Sequence, residues 1–114
     1  WTEVDSIVIM LNKNYLFLIY IMPLDKQGKP ILYKPWKNKT KSKFKYWVYV
    51  KADNKRGVKK IGFGHKDYGQ FKDKLGHYKS KDHNDPKRKK AYYDRHGKAT
   101  SKDTAKYWSH KILW

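Results

Sequence analysis

Two helix-start signals in the last third of the chain restrict its fold more than any other feature. In Asp82 to Trp114, DHNDPKRKKAYYDRHGKATSKDTAKYWSHKILW, Asp85 stands directly before Pro86. An Asp side chain can accept from the free N–H groups of a first helical turn, and proline is favoured at the first helical position. Gly97 then sits where a left-handed residue ends a helix. A helix over Pro86 to His96 follows. Thr100, with Asp103 three residues on, offers a capping-box-like start for a second helix. Ala105, Trp108 and Ile112 fall on one apolar stripe of it. Trp108 and Ile112 are expected in the core, with Trp114 closing the end and Tyr92 anchoring the first helix.

These helices need a surface to cover. Phe44 to Lys51, FKYWVYVK, is rich in aromatic and β-branched residues and reads as a strand. Ala52 to Gly57 is a turn cluster, and Val58 to Phe63 returns as a second strand. Alternation puts Tyr46, Val48 and Val50 on one face and Trp47 and Tyr49 on the other. The helices can cover one face only, so another element must cover the second. Gly64 to Lys81 reads as a long loop, with one helical turn allowed over Phe71 to Leu75. Loops of this length are often functional or ordered by a partner. The fold class is α+β: a β-hairpin packed with two short C-terminal helices, preceded by an extended N-terminal arm.

That arm spans residues 23–43. Three prolines and a glycine exclude a long helix. Leu24, Ile31, Leu32, Tyr33 and Trp36 can pin it to a neighbouring surface; a flexible tail is the other reading. Residues 1–22 are different in character. They carry Lys13 against Glu3 and Asp5, a sum of −1, which leaves +19 for the remainder of the +18 chain. Their apolar runs are too short and too interrupted for a membrane-spanning helix. A basic start and a small-residue cleavage site, the marks of a signal peptide, are missing. A hairpin or buried strand is one reading, and an extension read upstream of the usual start is the other. The compact basic domain is expected over 44–114.

With 114 residues and no cysteine, the chain lacks both disulfides and thiolate zinc ligation. Its aromatic content of 17% supplies core area instead. The 28 Lys and Arg against 10 acids set up a field that attracts polyanions. A solvated lysine surface reflecting base composition is the bland alternative. Lys87, Arg88, Lys89 and Lys90 wrap more than one helical turn, so not all four can face one partner. Together with Lys55, Arg56, Lys59 and Lys60 around the hairpin, they are the candidate polyanion-binding residues. The structural anchors are Trp47, Phe63, Tyr92, Trp108, Ile112 and Trp114.

Catalytic and metal chemistry find little support. His65, His77, His83, His96 and His110 include no pair at the i, i+4 spacing of a helical metal site. Asp82-His83 faintly suggests the metal-and-base loop of ββα-metal nucleases, but Pro86 starts a helix where that fold needs another strand. Gly62-Phe63-Gly64 is too short to cradle a phosphate. No serine stands on a nucleophile elbow. Arg95-His96 at a helix end complement the helix dipole; a bridge from Arg95 to Asp103 or to the Trp114 carboxylate, or a phosphate contact, are its other roles. The expectation is a non-enzymatic protein without cofactor or metal.

Phe63-Gly64 with Asp67-Tyr68, then Asp85-Pro86, Arg88, Tyr92 or Tyr93 and Arg95-His96, and finally Thr104 to Ser109 with Leu113-Trp114, make up a pattern. It resembles a family of small basic proteins encoded by large double-stranded DNA viruses, both tailed phages and giant viruses. The resemblance covers residues 44–114. Lys106 stands where the family often has glycine, and the spacer between the helices is short. The resemblance implies a virion-associated minor structural protein, present in the host cell before assembly. Its partners would be neighbouring capsid chains and viral DNA. The resemblance carries over no catalytic residue. A non-sequence-specific nucleic-acid-binding protein acting in infected cells is the alternative.

Overall fold

The computed structural model describes residues 22–114, so residues 1–21 of the strand or hairpin expected over 1–22 lie outside the described residues. Three antiparallel strands run in the order β1 (Trp36–Lys37), β2 (Phe44–Lys51) and β3 (Val58–His65). Two helices follow, α1 (Pro86–His96) and α2 (Ala105–Ile112). The architecture is the α+β arrangement expected from the sequence. β3 runs two residues beyond its expected end at Phe63. No helical turn forms over Phe71 to Leu75; a single 3-10 turn lies at Lys79–Lys81 instead. Among the described residues, no helix is long and apolar enough to cross a membrane.

Alternation along β2 places Tyr46, Val48 and Val50 at 0% exposure. Phe63, Trp108, Ile112 and Leu113 complete the core with them. α2 supplies most of the cover, its Trp108–Ile112 ridge lying against β3. Trp47 points the other way and lies outside this cluster. Its ring is 5.5 Å from that of Phe44 and 4.4 Å from the Lys60 Nζ.

The cover for that second face comes from the arm. Trp36 pairs with Trp47, and its ring lies 4.8 Å from that of Tyr49. Tyr33 donates its N–H to the Tyr49 carbonyl, but its ring packs against the core of the first face, stacked on Trp108 with centroids 6.3 Å apart. The basic stretch between β1 and β2 is folded by Asn38, which is 2% exposed. Its amide donates to Ser42 Oγ and the Phe44 carbonyl, and its oxygen accepts from Thr40. An Asn at a turn commonly satisfies nearby backbone in this way.

α1 begins and ends as its sequence dictates. Asp85 accepts from Lys87 N at 2.9 Å, Pro86 occupies the first position, and Gly97 follows with φ 66°. α2 does not start at Thr100. Thr104 caps it and accepts from Tyr107 N. The Asp103 carboxylate is already engaged, accepting from Tyr33 Oη at 2.6 Å and Lys51 N at 3.2 Å. It ties the arm and β2 to the helix entry, so it cannot complete a reciprocal cap for Thr100. At the other end of α2, the carbonyls of Ile112 and Leu113 accept from Lys74 N and Lys72 N, both at 3.0 Å. The long loop therefore satisfies groups that a helix end would otherwise leave open.

Candidate polyanion-binding site

A cleft of about 480 Å³ opens where β3, the long loop and both helices meet. Gly64, Asp67, Tyr68, Arg88, Tyr92, Arg95, Ser109, Leu113 and Trp114 line it, joined by Lys45, His65 and Gly69. Nine residues of the sequence pattern described above are among these; Phe63, Asp85, Pro86, His96 and Thr104 to Trp108 are not.

Its floor depends on a break in the strand alternation. Lys45 and Tyr46 are both buried, at 1% and 0% exposure. On β3, Gly64 takes φ 71°, and a Cβ there would lie 2.6 Å from Leu113 Cδ1. Only glycine accepts both that backbone and that approach. Gly64→Ala is expected to cost about 1–3 kcal/mol in urea denaturation and to disturb the packing of Leu113.

Lys45 enters the protein beneath the loop. Its Nζ donates to the Tyr68 carbonyl and to Gln70 Oε1. Burial holds its pKa down from 10.5 to about 8, with nearby Asp73 and Asp82 partly opposing the shift and Lys81 reinforcing it. Gln70, fully buried, donates from Nε2 to the Tyr78 carbonyl and to Asp82 Oδ1. Asp73, 2% exposed, accepts from Tyr46 Oη and from the backbone N–H groups of Leu75, Gly76 and Tyr78. Burial, and then the Asp73 carboxylate, push the Tyr46 hydroxyl far above the usual tyrosine range. The loop is thus ordered from inside by three polar side chains.

One wall is aromatic. Tyr92 and Trp114 stack at 4.2 Å with planes 4° apart. The Tyr92 hydroxyl donates to Ser109 Oγ at 3.0 Å and lies 2.8 Å from His110 Nδ1. At the rim, Tyr68 is 67% exposed and stacks on His65 at 4.3 Å. Arg88 and Arg95 stand seven residues apart on α1, two turns along one face. Neither has an ion pair or hydrogen bond among the described residues. The bridge expected from Arg95 to Asp103 is not formed, because Asp103 is held by Tyr33 and Lys51.

The candidate basic residues do not form one face. Of the run on α1, Arg88 lines the cleft, and Lys89 Nζ lies 4.6 Å from the centroid of the Phe71 ring. Lys90 pairs with Asp94 at 2.8 Å, and Lys87 is exposed. Lys55, Arg56, Lys59 and Lys60 lie at the tip of the hairpin, where Arg56, Lys59 and Lys60 border a second hollow of about 250 Å³. Roughly 16 Å of strand separates Lys60 from His65 at about 3.3 Å per residue. Sequence reasoning missed Lys45, His65 and Tyr68 as cleft residues. Tyr68 stood in the pattern without a role, and Lys45 gave no signal in a strand whose alternation pointed it outward.

Asp82 and His83 serve the fold. Asp82 Oδ1 accepts from Gln70 Nε2 and Asp73 N. His83 Nδ1 accepts from Asp85 N at 3.0 Å, and its buried Nε2 has no partner among the described residues. Burial, and then Arg88, lower its pKa. No cluster of three or more metal-ligating side chains occurs among the described residues. Comparison with protein-family models, with curated proteins and with solved structures gives no match.

Proposed function

We infer that this protein is a non-enzymatic, virion-associated minor structural protein of a large double-stranded DNA virus. In that role it lies against acidic inner surfaces of neighbouring capsid chains or against packaged DNA. The viral setting rests on the resemblance of residues 44–114. The mode of contact rests on where the carboxylates are spent. Asp25, Asp73, Asp82, Asp85 and Asp103 all accept from backbone N–H groups, with Tyr33, Tyr46 and Gln70 as further donors to three of them. Lys90–Asp94 is the one pairing of a carboxylate with Lys or Arg among the described residues. These five acids hold loops and helix ends together, while Arg56, Lys59, Lys60, Lys87, Arg88 and Arg95 are exposed and make no ion pair among the described residues. A field of this kind draws in polyanions and weakens with salt.

A free nucleic-acid-binding protein acting in the infected cell is the second reading, favoured by the concave placement of Arg88 and Arg95. Location separates the two. Peptide mass spectrometry on density-purified, nuclease-treated particles is expected to find this chain at fixed stoichiometry. Its absence from particles, with the protein present in infected cells, transfers the assignment to the second reading.

A further inference from the structure

The geometry points to the cleft between α1 and the long loop as a site for one nucleotide unit of single-stranded nucleic acid, its phosphate held by Arg88 and Arg95 and its base stacked on Tyr68. The inference rests on the polyanion contact proposed above and narrows it to a place and a ligand class. Arg88 and Arg95 face the same concavity and find no acceptor among the described residues. A guanidinium presents its N–H donors in a planar fork that matches a phosphate. The cleft's carboxylate, Asp67, has a side chain 83% exposed and lies 3.9 Å from His65. The cationic groups therefore dominate. A volume of about 480 Å³ lies within the range of small-ligand sites.

Tyr68 decides the kind of nucleic acid. The residue is 67% exposed, yet its ring is backed by His65 at 4.3 Å and 21°. The backbone beneath is fixed too, since the Tyr68 carbonyl accepts from Lys45 Nζ at 2.6 Å. A pre-positioned open ring beside two arginines offers a base something to stack on, and any base has the π-face to use it. A duplex keeps its base faces stacked inside, so it would reach the arginines with phosphate alone. An acidic peptide would satisfy the arginines and leave the ring idle.

Fluorescence anisotropy with the full chain, at one fixed salt concentration, tests the site. The probes are a labelled oligothymidylate, a labelled duplex of equal length and a labelled polyglutamate. Wild type is expected to bind the single strand most tightly. Arg88→Gln with Arg95→Gln is expected to weaken that binding about 100-fold, as loss of two charge-assisted contacts implies. Tyr68→Ala is expected to weaken it about 10-fold and leave the duplex unchanged. Lys59→Gln with Lys60→Gln, at the hairpin tip, is expected to cost both DNAs a similar, smaller factor. All the substituted side chains are exposed apart from their local stacking, and thermal melts check that each variant folds. If wild type binds none of the three probes, the underlying polyanion reading fails. If it binds both DNAs, but the arginine pair costs no more than the lysine pair, the cleft assignment is overturned and the charge reading stands. Equal displacement of the single strand by thymidine monophosphate, at matched nucleotide concentration, overturns the strand as the natural ligand. Tighter binding of polyglutamate overturns nucleic acid altogether.

Discussion

Asp73→Ala is expected to cost the folded protein about 3–5 kcal/mol, a large share of its stability. Asp73 is 2% exposed and accepts from Tyr46 Oη at 2.5 Å, Leu75 N at 2.9 Å, Gly76 N at 3.1 Å and Tyr78 N at 2.8 Å. Alanine leaves these donors without this acceptor, the Tyr46 hydroxyl in a buried place and the three backbone groups in part-buried ones. Each buried unsatisfied group costs about 1–3 kcal/mol, and backbone relaxation recovers part of the sum. Domains of this size have about 5–15 kcal/mol in hand. Asp73→Asn keeps one acceptor oxygen and the shape, so its loss is expected to be smaller. Urea denaturation of the three proteins checks the ranking. A loss below about 1 kcal/mol for the alanine variant would show that the loop does not depend on this carboxylate.

Raising the pH from 7 to 9.5 is expected to stabilise the protein by about 2 kcal/mol through Lys45. Burial lowers its pKa from 10.5 to about 8. At pH 7 the ammonium is charged in the folded and the unfolded chain alike. Between about 8 and 10.5 the folded chain has released a proton that the unfolded chain still binds, so stability climbs with pH. One pKa unit corresponds to about 1.4 kcal/mol, which sets the size. Above about pH 10 the sign reverses. Burial raises the hydroxyl pKa values of Tyr46, Tyr49, Tyr78 and Tyr92, so the folded chain then holds protons that the unfolded chain sheds. Lys45→Met removes the Lys45 share of the rise below pH 10 and keeps the fall above it. Lys74, lowered by burial and by Lys89, Lys111 and Lys72, contributes the same sign in both proteins. Urea melts at the two pH values compare the slopes. An unchanged rise in the methionine variant would assign the effect to general charge repulsion.

The parts of the fold that were legible in the sequence are those set by neighbours along the chain. Asp85, Pro86 and Gly97 fix α1 locally, and the alternation of Tyr46, Val48 and Val50 fixes the buried face of β2. What lay out of reach was set by residues far apart in sequence. Asp103 looks like part of a cap for Thr100, yet Tyr33, 70 positions away, takes its carboxylate. β1 is two residues long and gains its meaning from pairing with Trp47 and Tyr46. Gln70, Asp73 and Asp82 read as ordinary loop polar residues, because nothing near them shows that Lys45 and Tyr46 will be buried against them. The inward turn of Lys45 accompanies a positive φ at Gly64 on the partner strand, which a pattern of alternation cannot express. The candidate site was half legible for the same reason. The charge excess is visible in composition, whereas its division into a cleft at one end of β3 and a cluster at the other is not.

The salt dependence of DNA binding tests the claim that carboxylates taken up by loops and helix ends leave a cationic exterior built for polyanions. Binding of the full chain to a labelled duplex would be followed over a series of sodium chloride concentrations. Each neutralised phosphate contributes a slope of about −0.9 in log K against log salt. The expected result is tight binding at low salt and a straight line steeper than about −3. Absence of binding at low salt, or a line close to flat, would contradict the claim.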